Sequence, residues 1–250
     1  MAKPQIFAHR GALLNAPENT AAAFKLAFSN GATAVECDIR KTLDGQFIAF
    51  HDGDARRVCG RPWPIAGTSY AHLKTLKVFG KEPIAHLYDI LNIMILGPAR
   101  IFYFELCVDS PEDAAALAFE IKKAGVQDRA FIITFAHRAR LLKAASAAVP
   151  DIGIGVMPLL PGAILKTAAA AGASKVCAGW VNWPLTRQVF KGCAALFNFK
   201  EQVLAAARAG VGVSSGVANS YYDIRYLAEL GVEGVWTDDV PLAVRTLYGG

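Results

Sequence analysis

The feature that most constrains the fold is a regular alternation of two kinds of segment along the whole sequence. Short runs rich in β-branched and aromatic residues alternate with alanine-rich runs of helical periodicity. The predicted strands lie near residues 5–9, 33–38, 46–51, 100–106, 130–135, 152–157, 174–178, 211–215 and 234–237. Strands separated by helices predict parallel βα units, arranged either in a (β/α) barrel or in a doubly wound sheet.

Residues that favour helix ends mark the predicted helices. Ser110 and Pro111 suit the N-cap and the first turn of one helix, because Ser accepts a backbone N–H and Pro lacks one. Glu18 and Asn19, in the motif PENT, precede an alanine-rich run and are interpreted as residues that order the loop and start the helix. Four predicted helices end at a glycine that suits a helix C-terminus: Gly31, Gly125, Gly210 and Gly231.

Nine strands are one more than an eight-stranded barrel needs, and the second and third strands offer an explanation. They are joined by Asp44-Gly45, which is the strongest short signal for a β-hairpin. If these two residues form the turn, counting outward pairs Asp38 with His51. The third strand is then a hairpin partner of the second. The fold class predicted from the other eight is α/β, and their number suits an eight-stranded (β/α) barrel as well as a doubly wound sheet.

Length and composition favour one domain spanning residues 1–250. With 54% hydrophobic residues, a chain of this length can bury one large core, and single barrels commonly reach this size. Residues 53–86 break the alternation with Pro and Gly. They predict a small insertion after the third strand, with one short helix near 70–77, that lies over the barrel mouth and could act as a lid.

Charge, hydropathy and cysteine content exclude several classes of protein. The net charge of +5 is mild, and no block of Lys and Arg marks a nucleic-acid surface. No apolar run reaches the roughly 20 residues of a membrane span, and the N-terminus lacks the features of a signal peptide. Five cysteines without CxxC spacing favour reduced thiols. We therefore expect a cytoplasmic protein that acts on a small molecule; the sequence leaves its oligomeric state open.

Three carboxylates lie on otherwise apolar strands, where an unpaired charge is costly to bury. Glu36 and Asp38 alternate on the second strand and share one face, while Cys37 points the other way. Glu105 follows three aromatic residues at the end of another strand. The C-terminal ends of barrel strands form the mouth where active sites lie, so the three side chains are expected to converge there. Oxygen ligands of this kind favour Mg²⁺ or Ca²⁺ over zinc.

Two histidines and an arginine are predicted to flank the same mouth. His9 and His51 lie at the ends of the first and third predicted strands. Histidine side chains titrate near neutral pH, so two of them can divide the duties of general base and general acid. Arg10 presents a planar guanidinium that suits a phosphate. A divalent cation, two imidazoles and an arginine favour phosphodiester cleavage over other common reactions.

The order and spacing of these residues resemble one known family. The motifs are HRG, PENT, ExD, TxDG, HD, a strand ending in EL, and GVEGVWTDDVP near the C-terminus. They are similar to those of the glycerophosphodiester phosphodiesterase family over nearly the whole chain, and the first 52 residues are the most diagnostic part. The resemblance implies a TIM-type barrel with an insertion after the third strand, a divalent metal, and hydrolysis of glycerophosphodiesters to glycerol 3-phosphate and an alcohol.

The resemblance also assigns roles to particular residues. The acid/base histidines of the family correspond to His9 and His51, and its phosphate-binding arginine corresponds to Arg10. Its metal ligands correspond to Glu36, Asp38 and Glu105. In the mechanism that the resemblance implies, the glycerol 2-hydroxyl attacks phosphorus first, and the cyclic phosphate is then hydrolysed.

Two positions depart from the family pattern. The family usually carries, two residues after the glutamate of EL, a lysine that reaches the substrate phosphate, whereas this chain has Cys107. Near the eighth barrel strand, Gly216 occupies the position of a family aromatic residue, while Asn219 is retained. The space freed at Gly216 is predicted to accept a bulkier head group. Three side chains are candidates to replace the lost charge: Arg10, Lys166 and Arg187.

The same region leaves alternatives open. Trp180 and Trp183 follow a predicted strand and either line an apolar substrate wall or pack in the ordinary way. The departures at Cys107 and Gly216 leave two functions beside hydrolysis of simple glycerophosphodiesters. One is a phosphodiesterase of altered specificity, for sugar- or lysolipid-linked diesters. The other is a catalytically silent barrel that binds phosphorylated ligands.

Overall fold

All nine predicted strands are present in the computed structural model, which describes residues 3–180 and 185–249. Two further strands of two residues each lie in the predicted insertion. In chain order the strands are β1 (Gln5–Ala8), β2 (Ala34–Lys41), β3 (Phe47–Ala49), β4 (Lys77–Val78), β5 (Glu82–Pro83), β6 (Ile101–Leu106), β7 (Ala130–Phe135), β8 (Gly153–Met157), β9 (Lys175–Gly179), β10 (Gly212–Gly216) and β11 (Gly234–Thr237).

Eight of these strands form a closed parallel barrel. The order around the ring is β1, β2, β6, β7, β8, β9, β10 and β11. Strand β1 pairs with β2 on one side and with β11 on the other, so the sheet has no open edge at this point. The predicted (β/α)8 barrel is confirmed, and the doubly wound sheet is excluded.

Helices surround the barrel and connect its strands. They are α1 (Ala21–Ser29), α2 (Arg56–Cys59), α3 (Tyr70–Leu73), α4 (Leu87–Ile95), α5 (Pro111–Lys123), α6 (Ala139–Ala148), α7 (Ile164–Ala171), α8 (Thr186–Leu196), α9 (Phe199–Arg208), α10 (Tyr221–Glu229) and α11 (Val240–Tyr248). Ser110 caps α5 as predicted, because its hydroxyl accepts the backbone N–H of Asp113 at 3.1 Å. The four predicted glycines at helix ends all have positive φ.

Outside the insertion, three α-helices of the described residues were not predicted: α4, α8 and α11. The sequence of α4 forms part of a long apolar run without clear helical periodicity, and α8 contains Gly192, which weakens a helical pattern. Helix α11 starts at Val240-Pro241, directly after a strand. Packing of one apolar face against the barrel stabilises these helices beyond their local propensity.

The hairpin between β2 and β3 differs from the prediction by one residue. Lys41 pairs with Phe47, and the N–H of Phe50 donates to the carbonyl of Asp38 at 2.9 Å. Asp38 therefore faces Phe50, and its predicted pairing with His51 is wrong. The turn has three residues because the Thr42 hydroxyl accepts the N–H of Gln46 and donates to Asp44, with Gly45 left-handed at φ +79°.

The insertion after β3 has a small apolar cluster of its own. It contains the short helices α2 and α3 and the hairpin formed by β4 and β5, whereas the sequence predicted one helix near 70–77. Its buried residues are Ile48, Phe50, Ala55, Val58, Ile65, Leu73, Val78 and Ile84. Ile48 and Phe50 come from the β3 segment, so this cluster fixes the insertion on the strand that leads to His51.

The barrel interior is filled below its mouth. Phe7, Ala34, Tyr103, Ile133 and Trp236 form one buried cluster of inward-facing residues, and their rings contact one another at centroid distances of 4.8 to 5.5 Å. This layer separates the mouth from the N-terminal end of the barrel. Of the described helices, none is long and apolar enough to cross a membrane.

Candidate active site

The carboxylates predicted to converge do so at the C-terminal mouth of the barrel. Glu36 and Asp38 point inward from β2 and are only 3% and 1% exposed. Glu105, on the neighbouring strand β6, is in register with Asp38. One ligand atom from each of Asp38, Glu105 and Cys107 lies within 4.8 Å of the others. This group could hold a metal ion, and Glu36 lies beside it, one inward position earlier on β2.

Burial and mutual repulsion raise the proton affinity of Glu36 and Glu105. Burial, followed by the charges of Asp38 and Glu105, raises the pKa of Glu36 well above its ordinary value. Burial and then Asp38 raise the pKa of Glu105 to about 8, although Arg10 and Arg138 oppose the shift. Like charges held this close without water are costly unless protons or a cation neutralise them.

The donor set fits a hard divalent cation. Glu36 Oε1 is buried and has no hydrogen-bond partner within residues 3–180 and 185–249. Burial, Asp38 and Glu105 raise the pKa of the Cys107 thiol far above its ordinary value, so the thiol stays protonated and its S–H lies 3.7 Å from Asp38 Oδ1. The carboxylates of Glu36, Asp38 and Glu105 are therefore the groups that would hold Mg²⁺ or Ca²⁺.

These pKa shifts predict how the metal-free protein responds to pH. A buried acid whose folded pKa is raised loses stabilising free energy as the pH rises from its unfolded to its folded pKa. For Glu105 this window runs from about 4.5 to about 8. We expect Glu105→Gln to gain stability relative to the wild type across this window, and the difference to level off above it. Denaturant unfolding of chelator-treated protein at several pH values measures the difference; a constant difference would contradict the prediction.

The HRG motif wraps around the carboxylates. Arg10 has a left-handed backbone, φ +54°, which turns its N–H toward Glu36 Oε2 at 3.0 Å. Its guanidinium Nε lies 3.1 Å from Asp38 Oδ2. Gly11 follows at φ +93°, and a Cβ at this position would lie 2.7 Å from Ala23 Cβ in α1. Only glycine allows the loop to approach the helix this closely.

The PENT motif supports the cluster directly. Asn19, buried, donates from Nδ2 to Asp38 Oδ2 at 2.8 Å and accepts the Asp38 N–H at 3.1 Å. Thr20 is the N-cap of α1 and accepts the N–H of Ala23. Glu18 accepts hydrogen bonds from Arg10 at 3.2 Å and, with both oxygens, from Arg57. The motif therefore orders the loop as predicted, and it also fixes Asp38.

His9 belongs to a hydrogen-bonded chain that the sequence did not reveal. Its Nδ1 donates to Asp238 Oδ1 at 2.9 Å, and its Nε2 lies 4.0 Å from Glu36 Oε2. Asn219 holds the same aspartate, because its Nδ2 donates to Asp238 Oδ2 at 2.6 Å and its Oδ1 accepts the Asp238 N–H. Asp238 lies in the motif GVWTDD, but no local pattern links it to a histidine 229 positions earlier.

We predict that Asp238→Asn lowers kcat about 10- to 10³-fold, because His9 loses the carboxylate that fixes its orientation. Burial opposes ionisation of Asp238, but the hydrogen bond from His9 holds the pKa of Asp238 below its ordinary value. KM should change less than kcat, because Asp238 orients His9 and does not bind the substrate phosphate. Asp151→Asn, at the surface, is the matched control. An unchanged kcat would argue against the positioning role.

His51 is held in a comparable way by its sequence neighbour. Its Nδ1 donates to Asp52 Oδ1 at 2.7 Å. Arg57, from α2 in the insertion, donates to Asp52 and to Glu18. The hydrogen bonds from Arg57 and His51 overcome the effect of burial and lower the pKa of Asp52. The insertion thus ties the loop that carries His51 to the loop that carries Arg10.

An arginine that the sequence did not single out lies next to Cys107. Arg40 is two positions after Asp38 on β2, so it shares the inward face. It donates from Nε to the carbonyl of His51 at 2.8 Å and from Nη1 to the carbonyl of Cys107 at 3.1 Å. Of the three predicted replacements for the family lysine, Arg10 is in the site. Lys166 is exposed on α7, and Arg187 pairs with Asp223 at 2.9 Å.

Gly216 does not leave the space that was predicted. A Cβ at Gly216 would lie 2.5 Å from the carbonyl oxygen and 2.6 Å from Cβ of Trp236. On the other side, Gly179 approaches Gly216 even more closely, because a Cβ at Gly179 would lie 1.7 Å from the Gly216 carbonyl oxygen. The prediction of a vacated pocket is therefore wrong, since the neighbouring strand fills the volume.

The two tryptophans after β9 have different outcomes. Trp180 is half-buried and packs edge-on against Phe190 of α8, with ring centroids 5.2 Å apart. The backbone N–H of Trp180 donates to the Gly216 carbonyl at 2.8 Å. These contacts support ordinary packing over a free substrate wall. Trp183 lies outside the described residues.

A parallel barrel that gathers its acids, imidazoles and an arginine at the C-terminal mouth has the layout of a hydrolytic barrel enzyme. The class defined by fold and site is therefore that of (β/α)8-barrel hydrolases. The model of the glycerophosphoryl diester phosphodiesterase family matches residues 9–242. The chain belongs to this family, whose members are phosphoric diester hydrolases.

Individual relatives agree with this assignment. A glycerophosphodiester phosphodiesterase from Bacillus altitudinis is 26% identical over 96% of this chain and 97% of its own length. One from Caldanaerobacter subterraneus is 24% identical over 99% of both chains. An Oleispira antarctica phosphodiesterase, solved in complex with the product sn-glycerol-3-phosphate, has a TM-score of 0.79 at 22% identity. The match covers 99% of this chain and 98% of that one, and it shows a shared fold.

Proposed function

We propose that this protein is a metal-dependent enzyme that hydrolyses glycerophosphodiesters to glycerol 3-phosphate and an alcohol. It acts as one barrel domain with Mg²⁺ or Ca²⁺, and His9 and His51 provide acid/base catalysis. The product bound to the Oleispira antarctica relative supports this substrate class. The cysteines of the chain are free thiols, in keeping with a cytoplasmic location.

One observation carries the proposal. Each of the two imidazoles has its Nδ1 held by a carboxylate, His9 by Asp238 at 2.9 Å and His51 by Asp52 at 2.7 Å. A partner on one ring nitrogen fixes the tautomer and leaves Nε2 to exchange a proton with substrate. His9 Nε2 lies 4.0 Å from Glu36 Oε2, and Arg40 joins the carbonyl of His51 to that of Cys107. A site with two oriented imidazoles suits a reaction that both removes and donates a proton.

The residues of this chain then act as follows. Arg10 neutralises charge on the phosphoryl oxygens, and its contacts with Glu36 and Asp38 keep it at the mouth. One histidine takes the proton of the attacking glycerol 2-hydroxyl as the O–P bond of a cyclic phosphate forms, and the other gives a proton to the leaving alcohol as its P–O bond breaks. The two histidines then exchange roles: one takes a proton from water as it attacks phosphorus, and the other returns a proton to the 2-oxygen as the ring opens to glycerol 3-phosphate. A divalent cation bound by the carboxylates supplies further stabilisation of the negative charge that develops.

The direct test is turnover by the purified protein. We expect release of glycerol 3-phosphate from a panel of glycerophosphodiesters with added Mg²⁺ or Ca²⁺, and no release after chelation or in His9→Ala. If wild type, chelated protein and His9→Ala gave the same background rate with every diester and metal, the proposal would be rejected.

Cys107 supports a second candidate, a phosphodiesterase of altered specificity for sugar- or lysolipid-linked diesters. It stands where the family carries a lysine, and its thiol is neutral beside Asp38. We predict that Cys107→Lys raises kcat/KM for simple glycerophosphodiesters about 10-fold, because a cation to the substrate phosphate is restored. Cys107→Met is the control for size without charge. Equal kinetics for both variants and the wild type would count against altered specificity.

A further inference from the structure

Helix α8 carries an apolar stripe on its solvent side. Leu185, which precedes its first turn, Val189 and Leu196 are 67%, 56% and 77% exposed. With Gly192 they follow the spacing i, i+4, i+7, i+11, which places them on one face of the helix. The opposite side contains the buried Phe190 and Ala194, with Arg187 and Lys191 beside them, and both cations donate to Asp223 of α10 at 2.9 Å. Helix α8 is therefore apolar toward solvent as well as toward the protein, whereas an ordinary surface helix presents charged residues to solvent.

The exposed stripe lies along the rim of the barrel mouth. Helix α8 belongs to the connection between the C-terminal end of β9 and α9, and both of its ends remain at this side of the barrel. Its start is bound through Arg187 to Asp223, in the first turn of α10, which follows β10. At its end, the ring of Phe197 would lie 3.4 Å from a Cβ on Gly162, in the loop after β8.

Neighbouring loops extend the apolar surface. Leu159 and Leu160, in the same loop as Gly162, are 70% and 52% exposed. Tyr221 and Tyr222, at the start of α10, are also exposed. We define the rim patch by its apolar members: Leu159, Leu160, Leu185, Val189, Leu196, Phe197, Tyr221 and Tyr222. A patch of this kind marks an interaction site rather than a scatter of single exposed residues.

The charge of the same segment points to an anionic partner. Between Asp151 and Glu201 the sequence contains no Asp or Glu, but it contains five Lys and Arg residues. One of them, Lys175, pairs with Glu233 at the start of β9, away from the mouth. Lys166 and Lys200 are exposed in the first turns of α7 and α9, which begin at the mouth side, and Arg187 and Lys191 share one carboxylate.

We propose that the rim patch docks the barrel, mouth first, onto a bilayer surface that contains anionic phospholipid. Apolar side chains on a helix that lies parallel to the surface, with Lys and Arg beside them, are the composition of interfacial helices. A second copy of the chain fits less well, because two such patches would bring lysines together, while Asp223 is already paired and Glu201 lies beside Lys200. Docking in this orientation presents the active site to diesters in or near the lipid headgroups, independently of which diester is hydrolysed.

The test measures binding of the full-length protein to vesicles. We expect cosedimentation with vesicles of phosphatidylcholine mixed with phosphatidylglycerol, and little with phosphatidylcholine alone. Leu185→Gln, Val189→Gln and Leu196→Gln combined should weaken binding more than about tenfold, because their apolar area no longer enters the interface. Lys166→Gln and Lys200→Gln should each weaken it about fivefold at low salt.

A matched variant controls for the loss of exposed apolar area. Ile95, Leu96 and Phe119 are 51%, 81% and 59% exposed, but they lie on α4 and α5, away from the rim patch. Their combined change to Gln should leave binding within about twofold of the wild type. Thermal unfolding and turnover of a water-soluble diester show whether each variant is folded. These readouts keep loss of docking separate from loss of activity.

Several outcomes would overturn the proposal. They are wild-type protein that stays in solution with both vesicle types, equal binding to neutral and anionic vesicles, and equal loss of binding in the rim and control variants. Self-association that the rim variant abolishes, measured by analytical ultracentrifugation without lipid, would assign the patch to a second copy instead.

Discussion

Alanine at either His9 or His51 is expected to reduce kcat for a glycerophosphodiester by about 10²- to 10⁴-fold, the range of lost general acid or base catalysis. Each imidazole is oriented by a carboxylate, Asp238 or Asp52. A water molecule that enters the space left by the imidazole in the alanine variant is not oriented in this way, so it does not replace the proton transfer. KM should change less, because Arg10 remains to bind the phosphate.

The leaving group distinguishes the two histidines. Nitrophenolate leaves without being protonated, so a nitrophenyl diester removes the need for a general acid. The variant that lacks the acid should regain most of its lost rate with this substrate, and the variant that lacks the base should not. Equal recovery of both variants, or of neither, would contradict a division of duties between His9 and His51.

His72 provides the control for this experiment. It lies on α3 in the insertion, where its Nδ1 contacts the Ser69 hydroxyl at 2.9 Å. His72→Ala should therefore have the kinetics of the wild type. Wild-type kinetics in His9→Ala or His51→Ala as well would remove that residue from the mechanism, provided that circular dichroism shows the variant to be folded.

Glu36→Gln is expected to change activity and stability in opposite directions. Loss of one ligand should lower the affinity for the divalent cation and reduce kcat/KM about 10²- to 10³-fold, since a metal supplies several kcal/mol of transition-state stabilisation. The free energy of unfolding of the metal-free protein should rise by about 1–3 kcal/mol at pH 8, because the buried glutamate must either take up a proton on folding or repel two other carboxylates, whereas glutamine is neutral at every pH.

The local geometry explains the gain. Glu36 Oε2 accepts the N–H of Arg10 at 3.0 Å, and a glutamine oxygen can keep this bond. Oε1 has no partner in the described part of the chain, and the NH₂ group that replaces it can donate to a neighbouring carboxylate. A repelling contact thus becomes an attractive one.

A second glutamate gives the matched control. Glu233 accepts hydrogen bonds from Lys175 with both carboxylate oxygens, at 2.6 and 2.8 Å. Glu233→Gln should lower stability slightly and leave metal binding unchanged. Isothermal calorimetry with Mg²⁺ or Ca²⁺ and denaturant unfolding after chelation measure the two effects. Lower stability of metal-free Glu36→Gln, or undiminished metal affinity, would contradict the prediction.

Strands were easier to predict than the helices that connect them. Every predicted barrel strand lies within three residues of its observed bounds, because a strand buried on both faces is marked by β-branched and aromatic residues throughout. Helices α4, α8 and α11 depend on packing against the barrel. Their local sequences, with Gly192 in one and Pro241 in another, carry weak signals.

Individual contacts within the site were harder to predict. The hairpin register depended on the Thr42 hydroxyl, which bonds to Gln46 and Asp44 and adds a residue to the turn. In the sequence, a glycine at position 216 in place of an aromatic residue suggested an empty pocket. A comparison of residue sizes does not show that the backbone of Trp236 occupies that volume. A register error of one residue is small, but it changes which side chain faces Asp38 across the hairpin.

By itself, the sequence determined the barrel and the placement of Glu36, Asp38 and Glu105 at one mouth, since strand periodicity and parallel alignment depend on local pattern. Only the tertiary structure decided which groups orient the histidines. Asp238 reaches His9 across 229 positions because β1 and β11 are neighbours only after the barrel closes. The exposed stripe of α8 at the rim is likewise a product of closure, which brings the loops after β8, β9 and β10 together.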